Sequence, residues 1–136
     1  MWKIVLAIAA AVTVVLIGTV ASAQVAPPAV PTLAVGKVQQ LDPTQVVVDG
    51  TIECRTGQEF SVSARITELG AQDAVKNSTV ATGPCTVNGP QVWSVTVRGS
   101  GGTFVPVVTT YGKINDPATQ QSTTNVDQRG VVIVRP

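Results

Sequence analysis

Residues 59–68, Glu-Phe-Ser-Val-Ser-Ala-Arg-Ile-Thr-Glu, contain the pattern that decides the fold. Apolar and polar side chains alternate along this stretch, and the apolar ones are Phe60, Val62, Ala64 and Ile66. Successive side chains of an extended chain point to opposite faces, so a period of two indicates a strand with one buried face. The stretch therefore predicts a half-buried β-strand.

Similar runs of strand length lie on both sides of this stretch. Upstream, alternate positions from Val46 to Cys54 are apolar, and Gly50 among them allows a bulge or a close backbone approach in mid-strand. Downstream, Trp93, Val95 and Val97 share one face of another alternating run. This parity places Trp93 in the core rather than on a ligand-binding surface.

The remaining runs are less regular. Residues 104–114 are rich in Val and Thr, and residues 131–134 form a continuous apolar run that predicts a strand with both faces at least partly covered. Residues 33–41 and 79–87 are weaker strand candidates. Residues 69–76 have neither a helix cap nor helical periodicity, which predicts a loop with one turn.

Clusters of Gly, Pro and Asn separate these runs at short intervals. About seven short strands with such turns are typical of an all-β, two-sheet sandwich, and a small barrel is the alternative. No internal repeat is present.

The N-terminus predicts export. A short positive start precedes an apolar run from Ile4 to Val20, and Ala21-Ser22-Ala23 matches the small-x-small pattern of a cleavage site. We expect a signal peptide, formed as a helix, over residues 1–23, a Pro- and Ala-rich linker over 24–32 and one domain over 33–136. The apolar run also approaches the length that spans a bilayer, so an uncleaved anchor is the alternative, and membrane contact is expected only through this segment.

The charge distribution excludes nucleic acid as a partner. The chain has nine Lys and Arg side chains and eight Asp and Glu, and the two signs become equal when Lys3 is removed with the signal peptide. A neutral chain with scattered charges and few aromatic side chains lacks the basic, stacking surface that nucleic acids bind.

Cys54 and Cys85 are the only cysteines. Secreted proteins fold under oxidising conditions, where two cysteines with a single possible pairing are expected to form a disulfide. Catalysis by a thiol would need a general base, and the sequence contains no histidine.

The absence of histidine also excludes serine-type triads and histidine-based zinc sites. Paired carboxylates remain as a possible acid and base, and the candidates are Glu53, Glu59, Glu68 and Asp73. Strand parity points Glu53 outward and places Glu59 and Glu68 at the ends of their strand, which favours a solvated or edge-protecting role. We therefore expect no enzyme activity, no catalytic residue and no cofactor.

Two polar motifs offer other chemistry. Asn115-Asp116, Asp42 and Asp49 could supply oxygen ligands for calcium, but they lack Asp-x-Asp-x-Asp spacing, and turn aspartates usually bond their own backbone. No metal site is expected. Asn77-Ser78-Thr79 matches the glycosylation sequon, whose use depends on the host.

Several short motifs follow one another in a characteristic order: Gly50-Thr-Ile-Glu-Cys54, Phe60-Ser-Val-Ser-Ala64, Cys85, Trp93-Ser-Val-Thr-Val97, Gly102-Thr-Phe-Val-Pro106 and the final valine strand. This order resembles that of small secreted immunoglobulin-like domains of actinobacteria, over roughly residues 46–134. The resemblance implies an immunoglobulin-like sandwich and an exported location, and it implies no activity.

Two features depart from related patterns. Pro84 next to Cys85 removes a backbone donor, which places Cys85 at a sheet edge or a strand end. Immunoglobulin domains have a tryptophan between their two cysteines, whereas Trp93 follows both cysteines here.

These observations predict a secreted or wall-associated, non-enzymatic domain that contacts an unidentified protein or glycan at the cell surface, through loops at one end of the sandwich. A small-ligand carrier or a secreted enzyme inhibitor of the same fold is the alternative. A large apolar cleft would favour the carrier, a protruding loop the inhibitor, and a convex polar surface the binding domain.

Overall fold

The computed structural model describes residues 30–136, so the predicted signal peptide, residues 1–23, and residues 24–29 of the predicted linker lie outside the described residues. The described part contains the following strands: β1 (Leu33–Asp42), β2 (Gln45–Cys54), β3 (Glu59–Leu69), β4 (Ala74–Asn77), β5 (Ala81–Pro84), β6 (Gly89–Arg98), β7 (Thr103–Asp116), β8 (Gln121–Gly130) and β9 (Ile133–Val134). No helix within residues 30–136 is long and apolar enough to cross a membrane.

The strands form two sheets that pack face to face. Sheet one has the order β6-β2-β1-β9, and sheet two has the order β4-β3-β7-β8, with β5 paired to β3 alongside β4. All pairings are antiparallel except that of β1 with β9. The chain crosses from sheet one to sheet two after β2, returns after β5, crosses again after β6 and returns to sheet one for β9. The predicted all-β, two-sheet architecture is confirmed.

The core lies between the sheets and consists of alternate residues of the long strands. The innermost side chains are Val46, Val48 and Ile52 of β2, Val62, Ala64 and Ile66 of β3, Trp93, Val95 and Val97 of β6, and Phe104, Val108 and Ile114 of β7. All of them are buried, because each strand turns one face to the other sheet. The alternation in the sequence predicts this for β2, β3 and β6.

Gly50 confirms the predicted close approach in mid-strand. It lies opposite Trp93 on β6, and a Cβ added to Gly50 would collide with the carbonyl oxygen of Ala34 and with the indole ring. The register of β1 against β2 shifts between Val35 and Val38, next to this contact. A residue without a side chain thus allows Trp93 to lie across β2 inside the core.

The predictions for residues 69–76 and for residues 131–134 are wrong. Residues 69–76 are not a loop throughout, because β4 occupies Ala74–Asn77 and pairs with the end of β3. Residues 131–134 do not form a strand covered on both faces, since only Ile133 and Val134 pair and Val132 is 83% exposed. Both segments lie at sheet edges, where one face remains in water.

Strand β8 was not predicted. Its side chains that face inward include Thr123, Asn125 and Asp127, so it lacks the apolar alternation of a half-buried strand. Its ladder with β7 runs without a break from Asp116↔Gln121 to Val107↔Gly130. Backbone pairing with a well-packed neighbour therefore holds this strand in place, not burial of its own side chains.

Candidate functional site

The disulfide lies at one end of the sandwich, where β2 and β5 end and β3 begins. Cys54 and Cys85 are bonded, with 6.1 Å between their Cα atoms, and both are buried. Cys54 belongs to sheet one, and Cys85 follows the last residue of β5 in sheet two, so the bond joins the two sheets. Pro84 ends β5 at the sheet edge, as its missing donor predicts. We call this region the disulfide end.

A depression of about 650 Å³ lies on sheet two at this end and is open to solvent. Three adjacent rows of residues across β5, β3 and β7 form it, and its lining residues are Glu59, Phe60, Ser61, Thr82, Gly83, Pro84, Lys113 and Asn115. Its volume is within the usual range of ligand sites, and five of its eight lining residues are polar. We call it the sheet-two depression.

Phe60 and Gly83 form the middle row of the sheet-two depression. They pair across β3 and β5, and a Cβ added to Gly83 would lie 3.3 Å from Cε2 of Phe60. Phe60 packs against the core but is only partly buried because it lies near the start of β3. The absence of a side chain at residue 83 thus leaves room for the phenyl ring on the core face of the sheet, opposite the face that carries Glu59 and Ser61.

The polar side chains around the depression have no partners of their own. Within residues 30–136, no hydrogen bond or ion pair involves the side chains of Glu59, Ser61, Thr82, Lys113 or Asn115. Together they present an ammonium group, a carboxylate, an amide and two hydroxyls on one surface. Every one of these groups is available to a bound molecule.

The outer face of sheet two continues from the depression to an aromatic side chain. Tyr111 pairs with Ser63 and Val126, two residues along the strands from the row of Lys113. The guanidinium carbon of Arg65 lies 5.0 Å from the centre of the Tyr111 ring, which is within the range of a cation–π contact. The ring and the depression therefore form one polar surface with apolar patches.

The opposite end of the sandwich contains a buried carboxylate. Glu68 is 4% exposed, and its carboxylate accepts hydrogen bonds from the backbone N–H groups of Ser100 and Gly102 at 2.9 Å. Nζ of Lys76 lies 3.8 Å from Oε1 of Glu68. The hydrogen bond from Ser100 lowers the pKa of Glu68 most, and the Gly102 N–H and Lys76 lower it further, against an opposing effect of burial. We call this region the Glu68 end.

The position of Glu68 corrects the prediction of a solvated or edge-protecting role. Its carboxylate fastens the loop between β6 and β7 to β3, and the N–H of Gly99 in that loop donates to the carbonyl of Thr44 at 2.8 Å. The sequence did not indicate this contact because Glu68 and Ser100 are 32 residues apart. The local sign in the sequence was the run Gly99-Ser-Gly-Gly102, in which Gly101 takes a φ of 92°.

The candidate carboxylates divide between the two ends of the sandwich, with Glu53 and Glu59 at the disulfide end and Asp73 beside Glu68. Glu53 and Glu59 are exposed, as predicted, and Oδ1 of Asp73 accepts a hydrogen bond from the N–H of Gly70 at 3.2 Å. Glu59 and Glu68 lie at opposite ends of β3, roughly 30 Å apart at the rise of a strand. Carboxylates that act as an acid and base pair lie within about 10 Å of each other.

The calcium candidates are also apart. Oδ1 of Asp42 accepts hydrogen bonds from the N–H and hydroxyl of Thr44 at 2.8 and 2.9 Å, at the Glu68 end. Oδ1 of Asp116 accepts one from the N–H of Ala118 at 3.0 Å, at the disulfide end. Both aspartates bond their own turns, as the sequence predicts. Residues 30–136 contain no group of three or more Cys, Asp and Glu side chains that could hold a metal ion.

The sequon lies between β4 and β5, where the edge of sheet two contacts the edge of sheet one. Asn77 ends β4 and is exposed, and its Oδ1 accepts a hydrogen bond from Nε of Arg65 at 3.1 Å. Ser78 bonds to Ala64 of sheet two, whereas Thr79 bonds to Thr96 of sheet one. The two hydroxyl residues of the sequon thus connect the sheets between β4 and β5.

The sequence analysis predicted that loops at one end of the sandwich form the interaction site. The sheet-two depression lies instead on strands β3, β5 and β7, next to the disulfide end. Lys113, Thr82 and Gly83 were not singled out, because they are far apart in sequence and meet only through strand pairing. No protein-family model and no curated protein matches the chain.

Proposed function

We propose that this chain is an exported, non-enzymatic domain of immunoglobulin-like fold that binds a protein or glycan at the cell surface through the sheet-two depression. One observation carries the proposal: the five unpartnered polar side chains gathered around one depression. Ligand sites use a few convergent polar groups of this kind to orient a bound molecule. The open shape supports a macromolecular partner, which binds without being enclosed.

The strand order supports the immunoglobulin-like assignment. With β2, β3 and β7 in the places of strands B, C and F, sheet one contains A, B and E, and sheet two contains C, F and G, as in immunoglobulin domains. The disulfide departs from that pattern, because it joins β2 to the residue after β5 rather than to β7.

The disulfide also supports export. An intramolecular bond between buried cysteines is consistent with an oxidising compartment, and the N-terminal sequence predicts the route to it. Sequencing of the exported protein should begin at Gln24. A sequence beginning at Met1 would contradict cleavage and support the uncleaved anchor.

The alternative function, a small-ligand carrier, has weaker support. Carriers enclose apolar ligands in largely apolar pockets, whereas the sheet-two depression is open and five of its eight lining residues are polar. The binding proposal therefore fits the described surface better.

A retention experiment with surface variants tests the proposal. The full chain is expressed, and its exported product is immobilised and incubated with wall fragments and surface proteins of the producing cell. Lys113→Glu reverses a charge in the depression, and Thr82→Arg fills it. Lys37→Glu, on an exposed position of β1, makes the same charge change on the other sheet.

We expect the two depression variants to lose the material that the wild type and Lys37→Glu retain, with unchanged melting temperatures. Protease or glycosidase treatment of the retained material then identifies the partner class. Equal retention by all variants would exclude the depression as the site.

A further inference from the structure

Arg65 presents a guanidinium group that is held in place but only partly used. Its Nε donates to Oδ1 of Asn77 at 3.1 Å, and its central carbon lies 5.0 Å from the centre of the Tyr111 ring. Within residues 30–136, no hydrogen bond or ion pair engages the terminal nitrogens of Arg65. Two contacts thus orient the guanidinium, and its terminal N–H groups remain available on an exposed residue.

A guanidinium with free terminal nitrogens is a receptor for oxyanions. Its planar fork of N–H groups matches the oxygens of a carboxylate or a phosphate, and such charge-assisted bonds are stronger than neutral ones. Arg129 already has such a partner, because Oδ2 of Asp127 lies 2.7 Å from its Nε. No carboxylate of residues 30–136 forms an ion pair with Arg65. The fold therefore orients this fork without supplying the anion that it fits.

A second cation lies on the same face of sheet two. Lys113 is exposed and lines the sheet-two depression, four residues along β7 from Thr109, which pairs with Arg65. At the rise of a strand, four residues correspond to roughly 13 Å, and Tyr111 lies midway. In the rows from Glu59 to Arg65, the only outward carboxylate of the described strands is that of Glu59, which forms no ion pair. This part of the face therefore has an excess of positive charge.

Hydroxyl groups surround the two cations. The outward residues of the same rows include Ser61, Ser63, Thr82, Thr109 and Thr124, and no hydrogen bond within residues 30–136 engages these side chains. A hydroxyl group both donates and accepts hydrogen bonds, as the hydroxyl groups of sugars do. A chain of acidic sugars therefore matches this face in charge and in hydrogen-bonding groups.

A protein partner fits the same face less well. Protein interfaces depend on a few aromatic or other anchor side chains that become fully buried in the complex. In the rows from Ser61 to Arg65, the outward apolar side chains of the described strands are Tyr111 and Val126. The guanidinium of Arg65 already lies over the Tyr111 ring. The face thus offers few apolar anchors and many polar groups.

We propose that the outer face of sheet two binds an acidic polysaccharide, whose carboxylate or phosphate groups contact Arg65 and Lys113. The sugar chain lies along β7, from the sheet-two depression past Tyr111 to Arg65. This inference rests on the proposed function, narrows its partner to a negatively charged glycan and extends the site beyond the depression.

Binding to dextrans of different charge tests the inference. The exported protein is attached to an interferometry sensor and exposed to dextran, carboxymethyl-dextran and dextran phosphate. These polymers share one backbone, and the two charged forms distinguish a carboxylate ligand from a phosphate ligand. Polyglutamate represents an acidic protein partner. We expect binding to at least one charged dextran, and binding at least about ten-fold weaker to dextran and to polyglutamate. Salt should weaken the binding, because it screens exposed charges.

Single variants test the two cations. Arg65→Gln should raise the dissociation constant for the bound dextran about ten-fold, equal to about 1.4 kcal/mol. Arg65→Lys keeps the charge but loses the fork, so an intermediate value is expected. Lys113→Gln should have a smaller effect than Arg65→Gln, and it breaks no side-chain contact of residues 30–136, so its result does not depend on the folding of the Arg65 variants. Arg98→Gln, at an exposed position of β6 on sheet one, is the matched control and should bind as the wild type does.

Equal binding to neutral and charged dextrans would overturn the inference, and so would tighter binding to polyglutamate or equal effects of Arg65→Gln and Arg98→Gln. Absence of binding to both charged dextrans would also overturn it. The retention experiment then judges the proposed function separately. If Lys113→Glu and Thr82→Arg lose the retained wall material, the sheet-two depression remains the site, and its partner is not an acidic polysaccharide. If they keep it, the proposed function fails as well.

Discussion

The two ends of the sandwich are held in different ways. At the disulfide end, a covalent bond between Cys54 and Cys85 joins sheet one to sheet two. At the Glu68 end, a carboxylate in β3 binds the backbone of the loop that leaves β6. Side chains bind backbone groups at both ends, as Gln91 does near the disulfide and Glu68 does at the other end. The ends differ in the link itself: the covalent bond does not depend on protonation, whereas the hydrogen bonds to Glu68 depend on its charge.

Reduction of the disulfide should have the largest effect on stability. A bridge that closes about 32 residues is worth roughly 3.5 to 4 kcal/mol in the chain-entropy model, out of roughly 5 to 15 kcal/mol for a domain. Reduction should therefore lower the melting temperature by more than about ten degrees, and so should the double variant Cys54→Ala and Cys85→Ala. Calorimetry measures this, and titration of two free thiols in the oxidised, unfolded protein would refute the bond itself.

Glu68→Gln should have a smaller effect that remains local to its end. The variant keeps the size of the side chain but loses the charge that strengthens the hydrogen bonds from Ser100 and Gly102. We expect a lower melting temperature than that of the wild type, and faster hydrogen exchange in the β6–β7 loop. Glu53→Gln, an exposed carboxylate on β2, is the control. If the two variants behave alike, the carboxylate does not fasten the loop.

Acid should weaken the Glu68 end before the disulfide end. The folded-state pKa of Glu68 lies below its ordinary value of 4.5, chiefly because of the hydrogen bond from Ser100. Its stabilisation is therefore complete above 4.5 and is lost as the pH falls through the lower, folded-state pKa. Melting curves of the wild type and Glu68→Gln should converge over this acid range. If the two proteins differ by the same amount at every pH, groups other than Glu68 cause the acid sensitivity.

Calcium and EDTA should have no effect at either end. Asp42 and Asp116 lie at opposite ends and each bonds its own turn, so neither end collects the oxygen ligands that couple calcium binding to folding. The melting temperature in millimolar calcium should equal that in EDTA. A shift of several degrees would reveal a site formed by other oxygen atoms.

The core strands were predictable because their information is local. Alternation from Phe60 to Ile66 and from Trp93 to Val97 indicates the buried face, and the single pair of cysteines permits only one bond. The same logic failed for β8, whose residues share no apolar face, and for β4, which is too short to show a period.

The amino-acid sequence by itself therefore determined the all-β class, the buried faces of the long strands and the pairing of Cys54 with Cys85. Only the tertiary structure decided that Glu68 is buried against a loop, that Lys113 and Thr82 flank one depression, and that β8 ends a sheet. The physical reason is that periodicity records which side of a strand avoids water. Periodicity does not record which distant strand pairs with a given strand. The Glu68 contact, the sheet-two depression and the sheet edge all depend on that pairing.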